Sequence, residues 1–152
     1  MNATTQTTDA RPVEHEGELK LGCVTILVRD YDEALRFYTE ALGFAKRMDQ
    51  KMGPSARWVT VASKGQDVQI ALQKPEPSMH GEARAKEMTE RIGQAPTGVL
   101  VTSDCKKTYE TLLARGVKFS SPPSQQPWGV QAVLEDLYGN SYALVERPST
   151  KS

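Results

Sequence analysis

The feature that most constrains this chain is a repeat with a period of 74 residues. Asp30 and Asp104, Tyr38 and Leu112, and Gly65 and Gly139 are each separated by that interval. One spacing kept at three places means one supersecondary unit used twice. In the first copy, Leu21 to Val28 is rich in β-branched residues and reads as a strand. Asp30 then caps a helix, with Glu33 placed to complete a capping box. Ala34, Leu35, Tyr38, Ala41 and Leu42 fall on one helical face, and Gly43 supplies the stop. Arg57 to Ala62 and Val68 to Gln73, joined by a Ser-Lys-Gly turn, read as a hairpin. The order returns in the second copy: a strand over Gly98 to Val101, a helix capped by Asp104 and stopped at Gly116, and a hairpin of Trp128 to Leu134 with Ser141 to Val145. The expected fold is α+β, built from two βαβββ modules.

A chain of 152 residues holds one domain with a single sizeable core. Its expected limits are 19–147, with module one at 19–75, a linker at 76–96 and module two at 97–147. Polar tails are expected at 1–18 and 148–152. The linker is Pro-bounded and charged, with room for a short helix over Glu82 to Arg91. Lys plus Arg number 19 and Asp plus Glu number 19, so nothing in the net charge favours nucleic acid or an anionic membrane. The longest apolar runs, such as Val99-Leu100-Val101, fall far short of the roughly 20 residues that a membrane span needs. The first residues lack the basic start and apolar middle of a secretory signal. Cys23 and Cys105 make no disulfide framework or CxxC pair. A reducing, cytoplasmic setting with free thiols is expected.

Alternation along the strands separates two faces. Val24, Ile26, Val28, Val59, Val61, Val68, Ile70, Leu72, Tyr142 and Leu144 form the side that helices cover. The other side carries Cys23, Thr25, Leu27, Trp58, Thr60, Ala62, Gln69, Ala71 and Gln73, with Ala143 and Val145. Uncharged, semi-polar and partly aromatic, that side suits a ligand cavity, a dimer interface or plain exposed strand. Gln69 and Gln73 need partners, because an unpaired buried amide costs about 1–3 kcal/mol. Trp58 and Trp128, at the openings of equivalent hairpins, offer rings on which a planar ligand stacks. Cys23 has no basic neighbour in sequence and reads as an inert filler. Arg47 and Arg57 read as solvated surface charges, and His15 and His80 as solvent-exposed tail and linker residues.

The strings Val28-Arg29-Asp30, Ala34-Leu35-Arg36-Phe37-Tyr38 and Leu42-Gly43-Phe44 resemble the first half of the vicinal oxygen chelate superfamily, the glyoxalase, bleomycin-resistance and ring-cleaving dioxygenase relatives. Ala114-Arg115-Gly116-Val117, Pro127-Trp128-Gly129 and Asp136-Leu137-Tyr138-Gly139-Asn140 resemble its second half. The resemblance covers roughly residues 20–146 and implies a curved, cup-like mixed sheet with helices outside and chemistry on the inner face. It also implies closure by a twofold partner, hence a homodimer. In metal-dependent relatives the ligands occupy inner-face positions that match Cys23, Ala71, Thr97 and Ala143 here. Alanine has no donor atom and threonine is a poor divalent-metal ligand. The expected function is therefore metal-independent binding of a neutral planar small molecule, with no cofactor, through Cys23, Thr25, Trp58, Thr60, Gln69, Gln73, Thr97 and Trp128. The rival readings are a metal-dependent lyase or ring-cleaving dioxygenase with non-standard ligands, and a partner-binding protein.

Overall fold

The computed structural model describes Gly17 and residues 19–148. The expected tails, apart from Gly17 and Pro148, and with them His15, lie outside the described residues. In chain order the elements are β1 (Cys23–Leu27), α1 (Tyr31–Arg36) running into a π-helical turn (Phe37–Ala41), β2 (Ala45–Lys51), β3 (Arg57–Ala62), β4 (Gln69–Gln73), α2 (Pro77–His80), α3 (Glu82–Glu90), β5 (Gly98–Val101), α4 (Cys105–Ala114), β6 (Lys118–Gln126), β7 (Gly129–Glu135) and β8 (Ser141–Glu146). They form two four-stranded mixed sheets of the same order, β1-β4-β3-β2 and β5-β8-β7-β6. In each, the first strand pairs in parallel with the last and the other pairs are antiparallel. The two βαβββ modules of the repeat are thus present.

Both helix caps form as the sequence predicts: Asp30 accepts the Glu33 N–H at 2.8 Å and Asp104 that of Lys107 at 3.0 Å. The capping box does not close. The Glu33 carboxylate instead accepts the Tyr138 hydroxyl at 3.0 Å, and the same hydroxyl meets the Asp30 N–H at 3.2 Å. A side chain of the second module has taken the place of the local partner. Gly43, at φ +85°, ends the first helix in a conformation that other residues resist.

Two strands carry no β-branched signal. β2, Ala-Lys-Arg-Met-Asp-Gln-Lys, is an edge strand paired only with β3, and its polar residues stand in solvent. β6 contains Pro122 and Pro123 where its register with β7 shifts between Ser121 and Ser124. Proline survives in sheets at such edges and bulges because no ladder donor is needed there.

One apolar core serves both modules. Ile26, Val59, Val61 and Leu72 of the first sheet, with Val28 just after β1, share one cluster with Cys105 and Leu112 of α4 and with Leu134 and Leu144 of the second sheet. At its centre Tyr38 is fully enclosed, its ring packed edge-on against Tyr142 and stacked with Phe44. The Tyr38 hydroxyl donates to Asp136 at 2.7 Å and lies 2.9 Å from the Tyr142 hydroxyl. Asp136, itself 5% exposed, also accepts from the Tyr138 and Asn140 backbone N–H groups and the Asn140 amide. Burial holds the Tyr38 phenol far above its ordinary range and pushes Tyr142 up to about 12. Two of the residues assigned to the helix-covered side are not covered there. Val24 is half exposed beside the cleft that separates the two sheets, and Val68 precedes β4. Among the described residues no helix is long and apolar enough to cross a membrane.

Candidate functional site

Because side chains alternate across a strand, burying Ile26, Val59, Val61, Ile70 and Leu72 in the core forces their neighbours onto the opposite face. The pairing fixes which neighbours meet. Cys23 stands opposite Gln69, Thr25 opposite Ala71, and Leu27 opposite Gln73, while Thr60 of β3 faces Ala71 from the other side. Six of the sequence-predicted residues, Cys23, Thr25, Trp58, Thr60, Gln69 and Gln73, are therefore gathered on one face of the first sheet. Thr60 is buried and donates its hydroxyl to the Gln69 Oε1 at 2.6 Å. Cys23, Trp58, Gln69 and Gln73 are half-buried, and Thr25 is exposed.

The other two predicted residues belong to the second module. Thr97 is exposed just ahead of β5, outside the strand. Trp128 lies in the turn between β6 and β7, half exposed, with its indole N–H donated to Gln131 at 2.8 Å. The two tryptophans are not equivalent. Thr60 pairs with Ala71 as Val133 pairs with Ala143, so the partner of Trp58 in the repeat is Gln131. On this second face Val99, Ala143 and Val145 join Trp128 and Gln131 around a cleft of about 450 Å³, with Arg147 as its one charged lining residue. Val101 points to the same side, and it and Val99 are each 60% exposed.

Within one chain the two faces stay apart. The helix-covered sides share the core, and the cleft over the second sheet is lined by second-module residues and the adjoining Arg147 and Pro148 alone. Among the described residues β1 and β5 are both edge strands, each without a partner on its outer side.

Sequence reasoning passed over His80. Its expected place was an exposed linker, yet α2 folds back so that the half-buried imidazole Nε2 lies 3.2 Å from the Gln73 amide nitrogen. Pro75 and Pro77, which bracket the turn into α2, were the available signal. The arginines are not solvated either. Arg57 grips Asp49 with two hydrogen bonds, pairs with Asp32 at 3.1 Å and lies over the Tyr31 ring, and its hydrogen bonds hold the Asp49 carboxyl below its ordinary value. Arg47 donates to the carbonyls of Ser63 and Gln66.

The residues at the family's metal positions do not fit a divalent ion. Ala71 on the first sheet and Ala143 on the second carry no donor atom and Thr97 is outside the sheet, which leaves Cys23 as the one ligand-type side chain of the four. Among the described residues no three His, Cys, Asp or Glu side chains converge. Glu146, the nearest carboxylate in sequence to Ala143, is used on the helix side, where it accepts the Cys105 backbone N–H at 2.8 Å.

Two βαβββ modules, each with a helix on one side of a mixed sheet and an open semi-polar face on the other, define the class of paired-module proteins that the motifs resemble. The chain belongs to the Glyoxalase/Bleomycin resistance protein/Dioxygenase superfamily, whose family model matches residues 20–144. It is similar to the uncharacterized protein YurT of Bacillus subtilis, 34% identical over 131 residues that cover 85% of this chain and 100% of the relative. Among solved structures, UcmS2 superposes with a TM-score of 0.75 at 36% identity, covering 85% of this chain and 98% of that one. TnmS3, an antibiotic binding protein from Streptomyces sp. CB03234, superposes with a TM-score of 0.72 at 30% identity, covering 88% and 100%.

Proposed function

We propose that this chain is a cytoplasmic, metal-independent protein that binds a neutral, planar small molecule in a cup shared between two copies of itself. The observation that carries this reading is the contrast between the two open faces. One presents the Thr25 hydroxyl and the Gln69 and Gln73 amides, with Thr60 buried behind Gln69; the other presents Val99, Ala143, Val145 and the Trp128 ring. Together they suit a flat molecule with one polar edge and an apolar body. The likeness to an antibiotic binding protein supports the same class of ligand. An anion would meet little countercharge, since Arg47 and Arg57 are both engaged and Arg147 is the single charged residue lining the second cleft.

The shared cup follows from the free edges. β1 and β5 each have an unpaired side, and Val24, Val99 and Val101 beside them are exposed. A twofold partner setting its β5 against β1 would join a polar face of one copy to an apolar face of the other, twice. Light scattering at micromolar concentration should give a dimer's mass, and Val99→Asp with Val101→Asp should give a monomer that keeps its circular dichroism. Tryptophan fluorescence should be quenched saturably by a neutral polycyclic ketone in the wild type and not in that monomer. A monomeric wild type rejects the shared cup. Stoichiometric zinc, nickel, manganese or iron binding that survives replacement of both histidines rejects metal independence.

A further inference from the structure

The polar face has a fixed hydrogen-bond polarity, and one buried contact fixes it. Thr60 Oγ1 lies 2.6 Å from Gln69 Oε1. That separation is ordinary for O–H···O but shorter than the roughly 2.7–3.2 Å of N–H···O, so the amide oxygen, not the nitrogen, faces the threonine. The proton count agrees. Thr60 makes no other hydrogen bond among the described residues, and turning the amide round would leave its own proton with no acceptor in a buried site. Gln69 is therefore held with its NH2 turned away from β3. Neither N–H has an acceptor among the described residues, and the nitrogen is not sealed from solvent.

The surroundings of that NH2 suit a flat molecule. Ala71 follows on the same face with no side chain beyond Cβ, and Gln73, with the His80 ring against its amide, stands about 14 Å beyond Gln69 along β4, at about 3.4 Å per residue. That span leaves room for two or three fused rings.

Building on the small-molecule reading above, we infer that Thr60 is a positioning residue that sets Gln69 as a hydrogen-bond donor, so that the cup selects ring-conjugated ketones, whose carbonyl oxygen accepts from the Gln69 NH2. The Thr60 hydroxyl touches only Gln69, and its effect on the ligand passes through the amide. A site built to donate to a carbonyl discriminates against a ligand that lacks one, because its own donor is then left unpaired.

Three probes of one shape separate the contributions: fluorenone carries the carbonyl, fluorenol a hydroxyl in its place, and fluorene neither. Titration against tryptophan fluorescence should give wild-type protein about tenfold tighter binding of fluorenone than of fluorene. Thr60→Val, matched in shape, should shrink that ratio to about twofold, chiefly by weakening fluorenone. Thr60→Ser, which keeps the donor, should restore it. Gln69→Glu should reverse the preference towards fluorenol, a check that does not depend on how Thr60→Val folds. Equal binding of fluorenone and fluorene, or a ratio indifferent to Thr60→Val and Gln69→Glu, overturns the selection for ketones while small-molecule binding stands. Failure of all three probes to bind up to their solubility overturns both.

Discussion

Asp136→Ala is expected to lose about 3–5 kcal/mol of unfolding free energy, a large fraction of what a domain this size possesses. The carboxylate is buried and accepts four hydrogen bonds: from the Tyr38 hydroxyl at 2.7 Å, the Tyr138 N–H at 2.8 Å, and the Asn140 N–H and amide at 2.9 Å each. Truncation leaves two backbone donors and an amide without acceptors, at about 1–3 kcal/mol apiece before any relaxation. It also cuts the one polar tie between the enclosed Tyr38 of the first module and the turn that precedes β8. Asp136→Asn keeps one oxygen acceptor and should lose less. Urea denaturation followed by far-ultraviolet circular dichroism measures both, and a loss below about 1 kcal/mol for Asp136→Ala would show that the network contributes little.

Alkaline pH should strip stability by a similar amount. Burial, with Asp136 nearby, raises the folded-state values of Tyr38 and Tyr142, the first beyond the accessible range and the second to about 12. An unfolded tyrosine ionises near 10. The contribution of the two phenols is thus fully present below about pH 10, and it falls as pH rises towards the folded values, because the unfolded chain releases protons that the folded chain retains. Each group retained makes a slope of about 1.4 kcal/mol per pH unit. The hydroxyls are 2.9 Å apart, so the two titrate as a pair. Urea midpoints measured at about pH 9, 10 and 11 should drop steeply in the wild type and less steeply in Tyr38→Phe, with Tyr138, which burial also pushes up to about 12, contributing equally to both. Parallel curves for the two proteins would refute the assignment.

The modules were legible because each is announced locally. A β-branched run, an aspartate cap and a glycine stop sit at one spacing in both copies, and every one of these devices acts over a few residues. The family resemblance rests on the same stretches. β2 and β6 were not legible, since edge strands with one side in water carry no apolar alternation. The face of the first sheet could be read from alternation alone, which is why six of the eight proposed residues stand together. What failed was long range. Glu33 was read as a partner for its own helix, but Tyr138 holds it from 105 positions away. His80 looked like linker until α2 turned it onto Gln73. Trp128 was equated with Trp58 by its place at the opening of a hairpin, whereas β-ladder register, invisible in the sequence, makes Gln131 the counterpart.

A core divided between two modules has a consequence in time. The first sheet is complete once Gln73 has been synthesised, but the Tyr38 hydroxyl has no acceptor until Asp136 follows, 63 residues later (136 − 73), and its ring has no facing ring from the second sheet until Tyr142, 69 residues later (142 − 73). At synthesis rates of roughly 5–20 residues per second, the nascent first half waits about 3 to 14 seconds with that side of the ring uncovered. The ribosome-bound chain, rather than the finished protein, is then the form most in need of a chaperone. Lengthening the linker or slowing its translation would prolong that exposure without altering one contact of the folded state.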